Sequence, residues 1–252
     1  ANAAVTRSRA REYNEIMNSG AIGIFDSGVG GLKILGAAVK RLRGEDFIYV
    51  FDRSHSPYGN RSDRYVRRRA EKVSELLLSK GAKVVVAACN TATGVGITYL
   101  RRKFGAPFVG VEPPVKPAAL ARTHGKILVL TTCRTAEQAN FHRLLEKWDD
   151  GNVIVAPQPS LARDVELNFA ALSKLKPVVD DILAPYDSED IESVVLGCTH
   201  YYYLADMISA HYGGSARVFD AVDGVTHRIE TVLDENDLRS ETGKGRVKYI
   251  YL

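Results

Sequence analysis

The chain has 252 residues, 45% of them hydrophobic and 25% charged, the composition of a globular protein with room for two cores of ordinary size. Its 34 Lys and Arg stand against 30 Asp and Glu with no long block of one sign, so the net charge of +4 calls for no nucleic-acid partner. No apolar run reaches the roughly eighteen residues of a membrane-spanning helix, and the start lacks the apolar stretch of an export signal. Cys89, Cys133 and Cys198 are too few and too widely spaced for a disulfide framework, so they read as reduced thiols of a cytoplasmic protein.

In chain order, residues 1–20 are polar and Arg-rich and read as an N-terminal extension outside the core. Short β-branched runs follow at 21–25, 47–51, 83–88, 107–111, 126–130, 152–156 and 193–197. Between them, 30–42, 64–80, 92–104 and 135–148 carry apolar residues near helical spacing. Strands alternating with helices predict parallel sheets, and nearly continuous apolar runs predict that helices cover both faces. The pattern echoes itself: a strand ending at Asp26-Ser27 is followed by VVVAACNTAT, and KILVLTTCRT by ESVVLGCTHY. The expectation is an α/β protein of two pseudo-symmetric, doubly wound parallel-sheet lobes, with the active site in the cleft at the C-terminal ends of the strands.

Three turns carry the chemistry. Asp26-Ser27-Gly28-Val29-Gly30-Gly31 lies between a strand and a helix; its glycines permit a tight turn, and the helix start favours an anion, but the spacing is not that of a dinucleotide fingerprint. Cys89-Asn90-Thr91 opens another helix, where a thiol is expected to become more acidic. Cys198-Thr199-His200-Tyr201 sits at the matching turn of the second half, with His200 near its ordinary neutral value and placed to move protons. Either cysteine alone would read as a buried structural thiol. Two at equivalent turns read as a pair of bases that serve opposite faces of one carbon. Inverting an α-carbon needs one group to remove a proton and another to deliver one from the other side, with donors that stabilise the intervening charge. Asp26 beside Cys89 and His200 beside Cys198 are the expected proton-managing partners.

IGIFDSGVGGL, the turn Pro57-Tyr58-Gly59, VVAACNTAT and LGCTHY occur in the order and spacing of the glutamate racemases, which the chain resembles from about residue 21 to 230. The resemblance implies an isomerase that interconverts L- and D-glutamate for peptidoglycan synthesis, without pyridoxal phosphate or metal, as a cytoplasmic homodimer. It implies Cys89 and Cys198 as catalytic bases, the first acting on the D form and the second on the L form. Asp26, Ser27, Tyr58, Gly59, Asn90, Thr91, Thr199 and His200 look like substrate contacts. The lobes would comprise residues 21–112 with 221–252, and residues 113–220. LTTCRT resembles the family's G-T-x-x-T with Thr131 in place of Gly, which matches Thr132 and Thr135 and makes Thr135 a further substrate contact and Cys133 a bystander. For the acidic partner of the second cysteine and its histidine, the first candidate is Glu166 and the second Asp164. Tyr202-Tyr203 stands where the family continues through a proline.

Three other functions compete. A racemase of aspartate or another amino acid would use the same thiols, a metal-dependent hydrolase would gather Cys89, Cys198, His200 and His55, and a two-lobed binding module would need the cleft but not the thiols. The basic run Arg64, Arg67, Arg68, Arg69 and Lys72 reads as a solvated helix face paired with Glu71 and Glu75.

Overall fold

The computed structural model describes residues 19–240 and 243–252. The expected extension therefore lies, except for its last two residues, outside the described residues.

Two all-parallel sheets form the scaffold. The first contains β1 (Ala21–Asp26), β2 (Phe47–Phe51), β3 (Ala82–Ala87), β4 (Phe108–Gly110) and β9 (Val247–Tyr251), in the order β4-β3-β1-β2-β9. The second contains β5 (Lys126–Thr131), β6 (Val153–Pro157), β7 (Ile191–Leu196) and β8 (Arg217–Phe219), in the order β6-β5-β7-β8. Apart from the added edge strand β9, the second sheet repeats the order of the first. The repeat extends to irregularities. β3 skips Lys83 against β1 between Ala21 and Ile22, and β7 skips Glu192 against β5 between Lys126 and Ile127. Backbone bonds just past the strands also match: Ala88 N–H donates to Phe25 C=O at 2.8 Å, and Gly197 N–H donates to Leu130 C=O at 2.7 Å.

The helices around the first sheet are α1 (Leu32–Arg41), α2 (Asp63–Ser79), α3 (Asn90–Lys103) and α10 (Val222–Glu235). Those of the second half are α4 (Val115–Ala121), α5 (Cys133–Ala136), α6 (Ala139–Trp148), α7 (Leu161–Leu167), α8 (Lys176–Leu183) and α9 (Ala205–His211). The central strands are buried on both faces, as their uninterrupted apolar runs demand. The seven strands expected from sequence occur with ends that differ by at most two residues, while β8 and β9 add to them. β8 is three residues long and only partly buried, and β9 is an edge strand with exposed Tyr249 and Tyr251, so neither forms a β-branched apolar run.

One apolar cluster joins the halves: Ile34 and Leu35 of α1, Ile229 and Leu233 of α10, Leu128, Leu196 and Tyr202 belong to a single buried network. The basic run of α2 departs from expectation. Arg69 turns inward to Asp52, Arg67 donates to Val95 C=O, and Glu71 and Glu75 pair with Lys103 of α3 instead of with their own helix.

Candidate active site

Cys89 and Cys198 occupy equivalent places, two residues past the ends of β3 and β7. Both backbones are extended (φ −137°, ψ 117° and φ −144°, ψ 135°), so each sulfur stands where a strand gives way to a helical turn. After Cys89 the turn is the start of α3; after Cys198 it is the 3-10 segment Thr199–Leu204. The thiols are 7% and 6% exposed, and a charge on Cys198 is near enough to disfavour one on Cys89.

Around Cys198 the structure builds a relay. His200 lies 3.9 Å from the sulfur through Nδ1 and 2.9 Å from Glu166 Oε2 through Nε2. Burial opposes a charge on this imidazole, but the Cys198 sulfur, Glu166 and Asp26 outweigh it and raise His200 to about 10. Glu166 is partly desolvated, yet its bonds from His200 and Val29 N–H hold it below the ordinary carboxylate range. At neutral pH His200 is therefore an imidazolium that donates at both nitrogens. The expectation of an ordinary neutral histidine is corrected, because it ignored the anionic company that folding supplies. Between the two acidic candidates, Glu166 makes this contact, whereas Asp164 meets Asn168 through its backbone carbonyl.

Around Cys89 the balance runs the other way. Burial and the Asp26 carboxylate push the thiol up, and bonds from Ala92 and Thr91 N–H at the start of α3 only partly oppose them. The expected acidification is thus corrected: the helix-start amides are present, but burial and the Asp26 carboxylate outweigh them. Asp26 is fully buried, and that burial raises its carboxyl against the pull of His200, Gly28 N–H and Thr199. It accepts from Gly28 N–H at 2.8 Å and from Thr199 Oγ1 at 2.9 Å, with Ser27 Oγ at 3.3 Å. The carboxylate beside the first thiol is therefore held by a hydroxyl of the second lobe.

Several of the other expected contacts meet one another across the two lobes. Thr91 of the first lobe meets Thr132 and Thr135 of the second, each at 3.3 Å, and Thr132 caps α5 by accepting from Thr135 N–H. Tyr58 is buried and donates to Asp52, while Gly59 packs so closely on Thr132 that a Cβ there would lie 3.0 Å from its side chain. Asn90 is buried with neither amide atom bonded within the protein. Buried polar atoms that the protein leaves unbonded call for a partner from outside it, such as water or a polar ligand. Glycines set the closeness of the lobes: a Cβ on Gly30 would come within 2.7 Å of His200 Nδ1, and one on Gly28 would overlap the Glu166 carboxylate.

Sequence reasoning missed several supports. Asp52 accepts from Tyr58 and receives both Arg69 Nε at 2.9 Å and Nη2 at 2.5 Å, pinning the Tyr58-Gly59 turn. Gln138 donates to Thr91 C=O at 3.1 Å, and Arg53 faces Glu166 at 3.8 Å. Arg69 was hidden in a basic run, and Gln138 carries no local signal. His55 bonds Tyr65 at 2.5 Å, and among the described residues no three His, Cys, Asp or Glu side chains are grouped to hold a metal ion. A hollow of about 1010 Å³ runs along the chain crossings near Pro113 and Ala221 and touches neither thiol, so its size does not make it the site of this chemistry.

The model of the Asp/Glu/hydantoin racemase family matches residues 25–228. The chain belongs to that family. A glutamate racemase of Pseudomonas aeruginosa is 37% identical over 88% of this chain and 84% of its own. Among solved structures, a glutamate racemase isoform of Bacillus anthracis, RacE1, superposes with a TM-score of 0.80 at 29% identity, over 92% of this chain and 87% of that one. The Escherichia coli glutamate racemase, solved with L-glutamate and the activator UDP-MurNAc-Ala, gives 0.79 at 28% identity, over 85% and 83%. No described helix of this racemase-family chain is long and apolar enough to cross a membrane.

Proposed function

We propose that the protein interconverts L- and D-glutamate without a cofactor, Cys89 and Cys198 acting in turn as base and acid, and so supplies D-glutamate for peptidoglycan synthesis. The observation that carries this reading is the opposed surroundings of two equivalent thiols. Cys89, pushed up by burial and Asp26, rests as a thiol ready to donate. Cys198 lies 3.9 Å from Nδ1 of His200, an imidazole whose charged form its surroundings favour.

In the L-to-D direction the Cys198 thiolate takes the α-proton, and the carbanion receives a proton from Cys89 on its other face. The reverse direction exchanges the roles. The mutual repulsion of the two sulfurs keeps one of them protonated, which a one-proton transfer at each face requires. Asn90, Thr91, Thr132, Thr135, Ser27, Thr199 and the Tyr58-Gly59 turn would bind the carboxylates and ammonium and stabilise developing charge. Asp26, His200 and Glu166 would hold and move protons. Lobes of residues 21–112 with 221–252, and of 113–220, are supported by strand membership in the two sheets. The same reading includes a cytoplasmic homodimer, which light scattering tests.

The deciding experiment incubates L- and D-glutamate separately with metal-free protein in D2O and follows the α-proton signal and the circular dichroism. Loss of both from either enantiomer is expected. Exchange of aspartate with glutamate untouched would move the assignment to another substrate of the same family.

A further inference from the structure

Two thiols so nearly closed off can meet substrate only if the cleft opens, and the contacts that close it differ on its two sides. Beside Cys198 they converge on Val29, within the first glycine-rich turn. Its N–H donates to Glu166 Oε2 at 2.9 Å, and its carbonyl accepts from Tyr203 Oη at 2.9 Å. Both partners come from the second lobe, so one residue of the first lobe is gripped at both of its peptide bonds. We propose that Tyr203 is a positioning residue for the racemisation: its hydroxyl clasps Val29 and holds the Asp26 turn of one lobe in register with the Glu166–His200 pair of the other.

The geometry makes the chain of contacts continuous. Gly28, next to Val29, donates its N–H to Asp26 Oδ1 at 2.8 Å, so moving Val29 moves the carboxylate beside Cys89. Glu166 Oε2 is shared between Val29 and His200, so the same displacement releases the partner of Cys198. Tyr203 is fixed for this task. Its ring packs edge-on against Phe169 at 5.0 Å and 85°, and the Lys33 ammonium sits 5.3 Å from the ring centre while donating to Tyr202 C=O at 2.7 Å. Helix formation does not need the phenol, because Val29 C=O already accepts from Leu32 N–H at 3.1 Å at the start of α1. The hydroxyl is thus an extra bond between lobes, and removing it should change register and closure, not folding.

The inference rests on the racemase reading, and Tyr203→Phe tests it, since it keeps the ring, its contact with Phe169 and the cation above it. Two quantities are read: KM and kcat for both enantiomers, and the rates at which iodoacetamide labels Cys89 and Cys198 in substrate-free protein, resolved by peptide mass spectrometry. KM should rise about fivefold, the order expected for loss of one neutral hydrogen bond, and labelling of Cys198 should accelerate about threefold relative to Cys89 because the clasp lies on its side. A merely structural role would lower kcat with the folded fraction, leave KM alone and speed both labels alike; that result, or no change in either quantity, overturns the proposal. If Tyr203→Phe does not fold, Lys33→Met loosens the same contact from the exposed side and should shift the labelling ratio in the same direction by a smaller factor; an unchanged ratio overturns the clasp. Should the parent protein leave glutamate unchanged, the racemase reading fails by itself, and the labelling ratio still decides whether Tyr203 holds the cleft.

Discussion

Glu166 and His200 meet at 2.9 Å, and the carboxylate oxygen that makes this contact also accepts from Val29 N–H of the facing lobe. The residue that charges the imidazole is therefore also one that fastens the cleft. Glu166→Gln should lower kcat by about tenfold or more, since hydrogen bonds to charged groups are the stronger class. It should also move the basic limb of the pH–rate profile to lower pH, because His200 loses one of the anions that raise it to about 10. An unshifted limb would mean that Glu166 does not govern that titration.

Each thiol can be tested alone. Cys89→Ser and Cys198→Ser should each reduce racemisation by roughly 10²–10⁴-fold, the range for removing a general acid or base, with far-UV circular dichroism unchanged. Full activity in either variant would take that cysteine out of the reaction.

The pH dependence of stability follows from His200, whose folded value is raised from 6.5 to about 10. A group raised on folding favours the folded state fully below its unfolded value and loses that contribution as pH climbs through the folded one. Thermal midpoints should therefore decline between about pH 6.5 and 10, and His200→Asn should flatten that decline. Parallel slopes in parent and variant would show that other groups control it.

Arg69→Met should act on binding more than on chemistry. It removes two bonds to Asp52 and frees the carboxylate that holds Tyr58, so KM should rise by about fivefold with a smaller change in kcat. Steady-state kinetics checks the split; a fall confined to kcat would contradict it.

Gly30→Ala is the steric counterpart. Its Cβ would overlap Thr199 Oγ1 and sit 2.7 Å from His200 Nδ1, so the Thr199 hydroxyl must shift from Asp26 and the imidazole from its place between Cys198 and Glu166. Activity should fall by about a hundredfold, on the scale of displacing a proton-handling group, and a crystal structure should show the ring rotated.

How much of this could be read from the residues differs from place to place. The central strands are legible because burial on both faces demands unbroken apolar runs such as FIYVF and VVVAA. The thiols are legible because they stand at strand ends, and the parallel order of both sheets follows from the alternation. The Asp52–Tyr58–Arg69 clamp is not, since Arg69 looks like its exposed neighbours until α2 is laid beside β2. The proton affinities of Cys89 and His200 are not legible either. Their directions depend on burial and on charges that folding brings from far along the chain, Asp26 to Cys89 and Glu166 to His200, which no local spacing encodes.

The two matching turns end beside unlike neighbours, a carboxylate near Cys89 and an imidazolium near Cys198. Mirror-image substrates have equal free energies in solution, so the equilibrium constant is one, and the second-order rate constants for the two enantiomers must be equal at every pH. The unlike neighbours thus cannot make the enzyme prefer a handedness at low concentration. They can only divide each equal ratio differently between turnover and saturation, so the asymmetry built into this cleft should appear when substrate is abundant and vanish when it is scarce.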